Sequence, residues 1–315
     1  MTTEGFNVLG IDVGGTKIAA GVVSFPEGRI LAQQVIPTAP ARSGEAVLND
    51  VVRLAEELAD GAIASGQKLE GIGLGLCELV DPTGRILSAN CVRWQDQPVA
   101  ERLSKIAPVV LEADVRAAGL AEALFGSGRS LNIFLYVTIG TGISSCLMIR
   151  GEPFVGARGA TGTMASSPMS WICEKCGGVA ERTLEEIASG PALVARFNQR
   201  RPGAAKNGPD VLAAAIAGNS DSLGVLRSAG EALGSAVGFL VNVLDPEAVI
   251  VGGGLGLSEG CYWESFSAST RRHIWSEIHR GLPILRASTG QAAGIVGAAA
   301  AWKKRRDRRL EVSRS

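Results

Sequence analysis

The 315-residue sequence lacks the features that mark several common classes of protein. It has no apolar run of the roughly 20 residues needed to cross a bilayer, and no basic segment followed by an apolar one at its start. Its 31 basic and 31 acidic residues cancel, which removes the electrostatic argument for binding nucleic acid or a membrane surface. We therefore expect a cytoplasmic protein that binds neither nucleic acid nor membranes.

Histidine and closely spaced cysteines are also scarce. The six cysteines are scattered apart from Cys173 and Cys176, and the two histidines lie far along the chain from that pair. Without an export signal, reduced thiols are expected rather than a disulfide framework. Two thiolates do not complete a tetrahedral site, so we predict no structural zinc. The basic stretch 303–309 contains no aromatic residues and is interpreted as a solvated helix end.

Glycine, in contrast, is abundant, and many of the 41 glycines directly follow apolar runs. Apolar runs predict strands at 8–12, 18–24, 29–36, 71–76 and 108–112, with a helix at 45–65. The strand–turn–strand pattern returns at 132–149, before a long helix at 228–244, strands at 248–251 and 283–287, and a closing helix. We therefore predict an α/β protein built from two duplicated halves that face each other across a cleft. The first domain would cover residues 1–113 and the closing helix from about 293 to 315, and the second would cover 114–292.

Three glycine turns at strand ends have the composition of phosphate-binding loops. Glycines let backbone amides approach phosphate oxygens, threonine adds a hydroxyl donor, and Asp12 at a strand end can hold Mg²⁺ directly or through water. The alternative is a plain hairpin turn whose aspartate is satisfied by the backbone. Neither a P-loop nor a complete G-x-G-x-x-G motif occurs. The residues predicted to bind nucleotide are Asp12, Gly14, Gly15, Thr16, Lys17, Thr138, Gly140, Thr141, Gly142, Gly252, Gly253 and Gly254.

These motifs resemble those of the ROK family of sugar kinases, within the actin-like and hexokinase-like ATPase superfamily. The likeness covers nearly the whole chain, through segments 9–17, 138–143, 245–254 and 294–298. The resemblance implies a duplicated ribonuclease-H-like (actin-like ATPase) fold with two domains around a cleft. It also implies ATP and Mg²⁺ as cofactors and a homo-oligomer, commonly a dimer.

Segment 111–118 is similar to the family's catalytic stretch and implies that Asp114 is the catalytic base. The residues agree with this, because Asp114 is predicted to close a strand and open a helix. A carboxylate there can accept the proton of an acceptor hydroxyl during phosphoryl transfer. The alternative role is a helix N-cap, and both roles can hold at once.

Departures from the family pattern concentrate in the sugar-binding motifs. Ala113 stands where the family has Asn, Thr163 and Ser166 where it has Glu and a metal-binding His, and Glu78 where it has Gly. The resemblance implies a substrate site formed by Glu78, Asn90, Ala113, Asp114, Thr163, Ser166 and Glu185. Because sites built on hydrogen bonds discriminate strongly, these changes predict that glucose is not the best substrate.

The sequence therefore predicts an ATP-dependent kinase that phosphorylates a hydroxyl, most simply a primary one, of a modified sugar or a C7-cyclitol. An ordinary glucokinase or an N-acetylmannosamine-type kinase is the alternative within the same class. A non-catalytic sugar sensor or pseudokinase is the alternative in another class. The first phosphate strand begins by Val8, which leaves no room for the helix-turn-helix of such sensors, and the retained Asp12 and Asp114 argue against a pseudokinase.

Overall fold

The computed structural model describes residues 5–39, 41–172 and 176–313. The strands within these ranges are β1 (Phe6–Val13), β2 (Lys17–Phe25), β3 (Arg29–Pro37), β4 (Leu69–Leu76), β5 (Val109–Ala113), β6 (Ile133–Ile139), β7 (Ile143–Ile149), β8 (Glu152–Pro153), β9 (Pro168–Ile172), β10 (Val179–Thr183), β11 (Ala248–Gly252) and β12 (Ile284–Arg286). The α-helices there are α1 (Gly44–Ala64), α2 (Val99–Ser104), α3 (Asp114–Phe125), α4 (Leu184–Ala188), α5 (Gly190–Arg200), α6 (Gly208–Ile216), α7 (Ser220–Leu244), α8 (Cys261–His273), α9 (Glu277–Arg280) and α10 (Ala293–Val312).

Two five-stranded sheets share one topology. The first sheet has the order β3-β2-β1-β4-β5 and the second β12-β11-β6-β7-β8. We number the strands of each sheet by their order along the chain. The first sheet then reads 3-2-1-4-5, and the second reads the same when it is taken from its β8 end. In each, the first two strands are antiparallel, and the fourth and fifth run parallel to the first. The predicted α/β class and internal duplication are confirmed.

The chain divides into two compact units. The first unit comprises Met1–Ser130, Gly151–Thr161 and Gln291–Ser315, and the second comprises Leu131–Arg150 and Gly162–Gly290. Helix α10 therefore belongs to the first unit. So does α3, which the sequence placed beyond a boundary at residue 113, because α3 packs along α10. None of the helices in the described part of the chain combines the length and apolar composition of a membrane span.

Parallel pairing places three strand ends of the first unit in one row. Val13 of β1 is paired with Leu76 of β4, which is paired in turn with Ala113 of β5. The residues that follow these strands therefore emerge at the same edge of the sheet. In the second sheet, β6 and β11 are parallel neighbours, and Thr138 is paired with Gly252. The second and third glycine turns predicted from the sequence therefore begin at adjacent strand ends of the second sheet.

The bounds and the buried face of helix α1 follow from local features of the sequence. Its N-cap is Ser43, whose hydroxyl oxygen accepts a hydrogen bond from the Ala46 amide at 3.2 Å. The apolar stripe predicted for this helix is buried against the first sheet, including Val47, Val51 and Leu54. The sequence prediction of 45–65 therefore differs from the observed helix by one residue at each end.

Helix α10 packs against the first sheet at backbone contact distance, and glycines make this approach feasible. A Cβ on Gly10 would overlap the carbonyl of Ile295, and one on Gly73 would overlap the carbonyl of Ala298. The Trp302 indole then donates a hydrogen bond to the Pro108 carbonyl at 2.9 Å. The glycine richness of the chain therefore serves packing as well as turns.

The basic end of α10 is tied to the first unit by ion pairs. Lys304 pairs with Glu152 at 2.9 Å, and Arg306 pairs with Glu70 at 3.0 Å. Arg306 also stacks over the Phe6 ring, 3.5 Å from its centroid. These contacts use part of the positive charge that a nucleic acid would need, and the expectation that the chain binds no nucleic acid stays a prediction.

The glycine packing gives a matched pair of variants. Gly73→Ala should lower the melting temperature, because overpacking a buried contact costs about 1–3 kcal/mol or more. Gly61→Ala should raise it slightly, since Gly61 is an exposed position of α1 with open space around it, and alanine is favoured there by about 0.5–1 kcal/mol. Differential scanning calorimetry of the two variants beside wild type checks both signs. Equal melting temperatures for all three proteins would contradict the packing argument.

Candidate active site

Two aspartates occupy the edge of the first sheet at the ends of β1 and β5. Burial raises the pKa of Asp12 to about 6, although the Lys17 charge opposes the shift. Burial raises the pKa of Asp114 to about 7, and the negative charge of Asp12 adds to the effect. Among the residues that the structure describes, no donor hydrogen-bonds the Asp12 carboxylate. Negative charge is therefore concentrated where a divalent cation would relieve it.

Asp114 lies at the strand-to-helix junction predicted from the sequence. It is the first residue of α3, and its Oδ1 accepts a hydrogen bond from the Val115 amide at 2.6 Å. The N-cap position belongs instead to Ala113, which makes no side-chain cap bond. The alternative prediction, that Asp114 is the helix N-cap, is therefore wrong by one residue.

Arg116 and Glu112 hold this junction, and the sequence analysis missed both. Arg116 is 3% exposed, and its Nε donates to Glu112 at 2.6 Å. Its remaining nitrogens donate to the carbonyls of Val80 at 2.7 Å and Gly159 at 3.1 Å. A buried guanidinium with all of these partners is strongly oriented. The available signal was the i,i+4 spacing of Glu and Arg across the junction.

The first glycine turn, between β1 and β2, is closed by its own backbone and by Thr38. The Gly14 amide donates to the Lys17 carbonyl at 3.0 Å, so Gly14 shapes the turn. The buried Thr38 hydroxyl donates to the Gly14 carbonyl at 2.6 Å, and its amide donates to the Thr16 carbonyl at 3.0 Å. Thr38 lies after β3, and nothing in the sequence marked it as part of this turn.

The second and third glycine turns meet within the second unit. The Ile139 carbonyl accepts hydrogen bonds from the amides of Leu255 and Gly256, at 3.0 and 3.1 Å. Gly253 has φ +80°, and a Cβ there would overlap the Ile139 carbonyl. A Cβ on Gly254 would meet open space. The two turns are therefore fixed to each other, and at Gly254 an added side-chain carbon would meet no neighbouring atom.

Of the predicted sugar-binding residues of the second unit, Glu185 contacts the second turn. Glu185 Oε2 accepts a hydrogen bond from the Ile143 amide at 2.8 Å, and a Cβ on Gly142 would lie 2.8 Å from that oxygen. Thr163 and Ser166 are exposed at the two ends of a short 3₁₀ turn that packs against α4. The helix that carries Glu185 thus links the second turn with the segment that carries Thr163 and Ser166.

Glu78 differs from its predicted role. Its carboxylate is 4% exposed and accepts hydrogen bonds from the amides of Asn90 at 2.9 Å, Cys91 at 2.5 Å and Val92 at 2.8 Å. The Ser88 hydroxyl also donates to it. Both oxygens are therefore used within the protein. The expectation that Glu78 offers a carboxylate to an additional donor on the ligand does not match this geometry.

The cysteine pair can be followed only in part. Cys173 lies outside the described residues, and Cys176 is exposed. Within the described ranges, no group of three or more histidine, cysteine, aspartate or glutamate side chains is arranged to hold a metal ion. The expectation that the protein contains no structural zinc stays a prediction.

Comparison with known proteins identifies the family. The ROK family model matches residues 8–305. The chain belongs to the ROK family. The glucokinase of Streptomyces coelicolor is 29% identical over 312 residues, which cover 92% of this chain and 96% of that enzyme.

Solved structures agree. A ROK family glucokinase from Streptomyces griseus, crystallised with glucose and AMPPNP, has a TM-score of 0.79 and 28% identity over 93% of this chain and 98% of that one. The ROK hexokinase from Thermus thermophilus has a TM-score of 0.76 and 32% identity over 96% of this chain and 100% of that one. Both matches cover nearly the whole chain and have the same fold.

Relatives that are not named as glucokinases or hexokinases also match this chain. The bifunctional enzyme NanE/NanK of Brucella melitensis is 28% identical over 93% of this chain and 53% of its own length. The xylose repressor of Bacillus subtilis is 24% identical over 92% of this chain and 75% of its own length. Family membership alone therefore does not choose between catalysis and sensing.

The raised pKa of Asp114 has a consequence for stability. Because its folded pKa of about 7 lies above the ordinary 3.8, the folded state binds this proton more tightly than the unfolded state. The carboxylate therefore destabilises the fold progressively as the pH rises from about 4 to 7. Without Mg²⁺ or nucleotide, Asp114→Asn should melt at a higher temperature than wild type at pH 8, and the gain should vanish towards pH 4.

Asp81→Asn is the matched control for this measurement. Hydrogen bonds from Thr83 and Arg85 lower the pKa of the Asp81 carboxyl to about 2, so its charged form stabilises the fold. Asp81→Asn should therefore melt at a lower temperature than wild type at pH 8, which is the opposite sign. A thermal scan in which Asp114→Asn is no more stable than wild type at pH 8 would contradict the buried, charged state assigned to Asp114.

Proposed function

We propose that this ROK family member is an ATP-dependent kinase that phosphorylates a hydroxyl, most simply a primary one, of a sugar or sugar-like polyol. The observation that carries the proposal is Asp114, a carboxylate with a pKa of about 7 at the same sheet edge as Asp12 and the first glycine turn. A general base is most effective when its pKa is close to the working pH. On the basis of the family resemblance, we also propose that the protein forms a homodimer.

The residues of the first unit account for the chemistry at the acceptor. Asp114 would accept the hydroxyl proton as the phosphoryl group is transferred. The Glu112–Arg116 pair holds the β5–α3 junction, so the base is oriented before substrate arrives. Asp12 would hold Mg²⁺ directly or through water. When bound, Mg²⁺ neutralises charge on the β- and γ-phosphates of ATP.

Each unit contains glycine turns with the features of a nucleotide-binding loop. In the first unit, Gly15 and Thr16 belong to the turn that Thr38 closes. In the second unit, Gly140 and Gly254 have room for close approach of a ligand, since a Cβ on either would meet nothing nearer than 3.9 Å. Backbone amides at such turns suit phosphate oxygens, as the family resemblance implies.

The substrate class follows from two positions that differ from the family pattern. Ala113 and Thr163 replace an amide and a carboxylate, and each replacement removes a strong hydrogen-bonding group. Ser166 replaces the metal-binding imidazole, while Asn90 and Glu185 keep their hydrogen-bonding groups. We therefore place a modified sugar or C7-cyclitol above glucose and N-acetylmannosamine as the acceptor, and Glu78 is not among the ligand-facing groups.

A non-catalytic sugar sensor is the second candidate, because a xylose repressor is among the relatives. A sensor has no need of a half-buried carboxylate with a pKa near neutrality, which weakens the fold when charged. The electrostatics of Asp114 therefore favour catalysis.

The Asp114→Asn variant tests the role of the base. Turnover should fall by about 10²–10⁴-fold, the usual value of general-base assistance, while ATP binding stays within about twofold of wild type. ADP release with a panel of polyols gives the first quantity, and isothermal titration with AMPPNP and Mg²⁺ gives the second. Asp81→Asn should keep wild-type values of both. Near wild-type turnover in Asp114→Asn would contradict the assignment of Asp114 as the catalytic base.

Specificity is tested by steady-state kinetics on glucose, mannose, N-acetylmannosamine and a C7-cyclitol. Each lost hydrogen-bond partner costs roughly 1–3 kcal/mol, so two lost partners should lower kcat/KM for glucose by about 10²-fold or more relative to the best acceptor. Mass spectrometry of the products would identify the phosphorylated compound. If glucose gave the highest kcat/KM of the panel, the proposed substrate class would be wrong.

A further inference from the structure

The carboxylate of Glu78 organises the loop that carries Asn90. This loop, Ser88–Val92, gives Glu78 three backbone amides and one hydroxyl, so four donors converge on two oxygens. Hydrogen bonds to an ionised carboxylate are about twice as strong as neutral ones. Glu78 is the second residue after β4 and is buried. The loop is therefore attached to the sheet edge through a single side chain.

The beginning of the loop is fixed by a second set of bonds. The Leu79 amide donates to the Ser88 hydroxyl oxygen at 2.9 Å, and that hydroxyl donates to Glu78. The Leu87 amide donates to the Leu79 carbonyl at 2.8 Å. Ser88 thus connects the backbone after β4 with the Glu78 carboxylate.

Cys91 connects the same loop to the first glycine turn. A Cβ on Gly15 would lie 3.0 Å from the Cys91 Sγ, so the thiol lies directly against the turn. The Cys91 amide is bonded to Glu78 Oε1 at 2.5 Å. The position of the Glu78 carboxylate therefore sets how the loop meets the candidate phosphate site.

Asn90 is presented at the exposed part of this loop. Its backbone amide is held by Glu78 at 2.9 Å, while its side chain is exposed. No hydrogen bond to the Asn90 side-chain amide occurs among the described residues. The backbone is fixed and the side chain remains available to a ligand, which is the arrangement of a preorganised binding group.

We propose that Glu78 is a positioning residue that fixes the loop Ser88–Val92 so that the Asn90 side chain meets the hydroxyls of the acceptor. The inference rests on the proposed function for its ligand, although the loop contacts are independent of it. Glu78 acts through the loop and does not itself touch the acceptor. Selectivity at this edge is then carried by Asn90.

The loop contacts are tested by amide hydrogen exchange in Glu78→Gln. One carboxylate oxygen becomes an NH₂ group, which cannot accept, so two of the four donors lose their acceptor. Exchange of the amides of Asn90, Cys91 and Val92, followed by mass spectrometry, should accelerate about tenfold or more. Asp81→Asn is the control, because Asp81 accepts from the amides of Thr83 and Arg85 and should affect that turn alone.

Kinetics separate a positioning role from a purely structural one. In Glu78→Gln, KM for the best acceptor among glucose, N-acetylmannosamine and a C7-cyclitol should rise about tenfold, while KM for ATP changes less than about twofold. Asn90→Ala should raise the acceptor KM when it is introduced into the wild-type protein. Introduced into Glu78→Gln, it should raise the acceptor KM little further, because the two changes act on one contact. Ser88→Ala removes one donor and should give a smaller effect of the same kind if Glu78→Gln does not fold.

The outcomes distinguish the inference from the proposed function. Unchanged exchange in Glu78→Gln, or faster exchange with an unchanged acceptor KM, would overturn the role of Glu78 while the kinase proposal stands. If wild type phosphorylates none of the probes, the proposed function fails. Hydrogen exchange alone then tests whether Glu78 holds the loop. That role is overturned unless exchange of the amides of residues 90–92 accelerates in Glu78→Gln.

Discussion

The parallel pairing of β1, β4 and β5 is the constraint on which the first unit depends. It brings the ends of three strands into one row, so groups that are far apart in the sequence emerge side by side. Asp12 lies at the end of the first of these strands, and Glu78 and Asp114 come after the ends of the other two. Helix α10 can cover this sheet closely because glycines at 10 and 73 leave room for its backbone. The concentration of carboxylates at one edge is thus a result of topology.

These carboxylates divide into two kinds. Glu78 accepts hydrogen bonds from four donors, and Glu112 pairs with a buried arginine, so both fix the surrounding backbone. In the described part of the chain, Asp12 receives no hydrogen bond, and Asp114 receives one from its neighbour's amide. The poorly satisfied pair carries the raised pKa values and the proposed chemistry. Satisfied charges stabilise the site, and unsatisfied ones leave the fold less stable than it could be, as is common where function competes with stability.

Much of this could be predicted from the sequence, because strand ends, glycine turns and the β5–α3 junction are marked by local signals. The predicted helix at 228–244 was shorter than α7, which begins at Ser220 behind an Asn219 cap. The role of Glu78 was not predictable, because its partners are a hydroxyl 10 residues away and loop amides 12 to 14 residues away. Thr38 was missed for the same reason, as the bonds that close a turn from a distant segment have no sequence pattern.

The most direct test of this account is a carboxyl titration of the protein by ¹³C NMR with labelled aspartate, in the absence of Mg²⁺ and nucleotide. We expect one resonance with a midpoint near 7 that is missing in Asp114→Asn, and a second near 6 that remains in that variant. In Asp12→Asn the midpoint near 7 should move lower, because the neighbouring charge is gone. Addition of Mg²⁺ and AMPPNP should lower both midpoints. If every aspartate titrated below pH 5, the two carboxylates would not share a buried edge, and the central claim would be wrong.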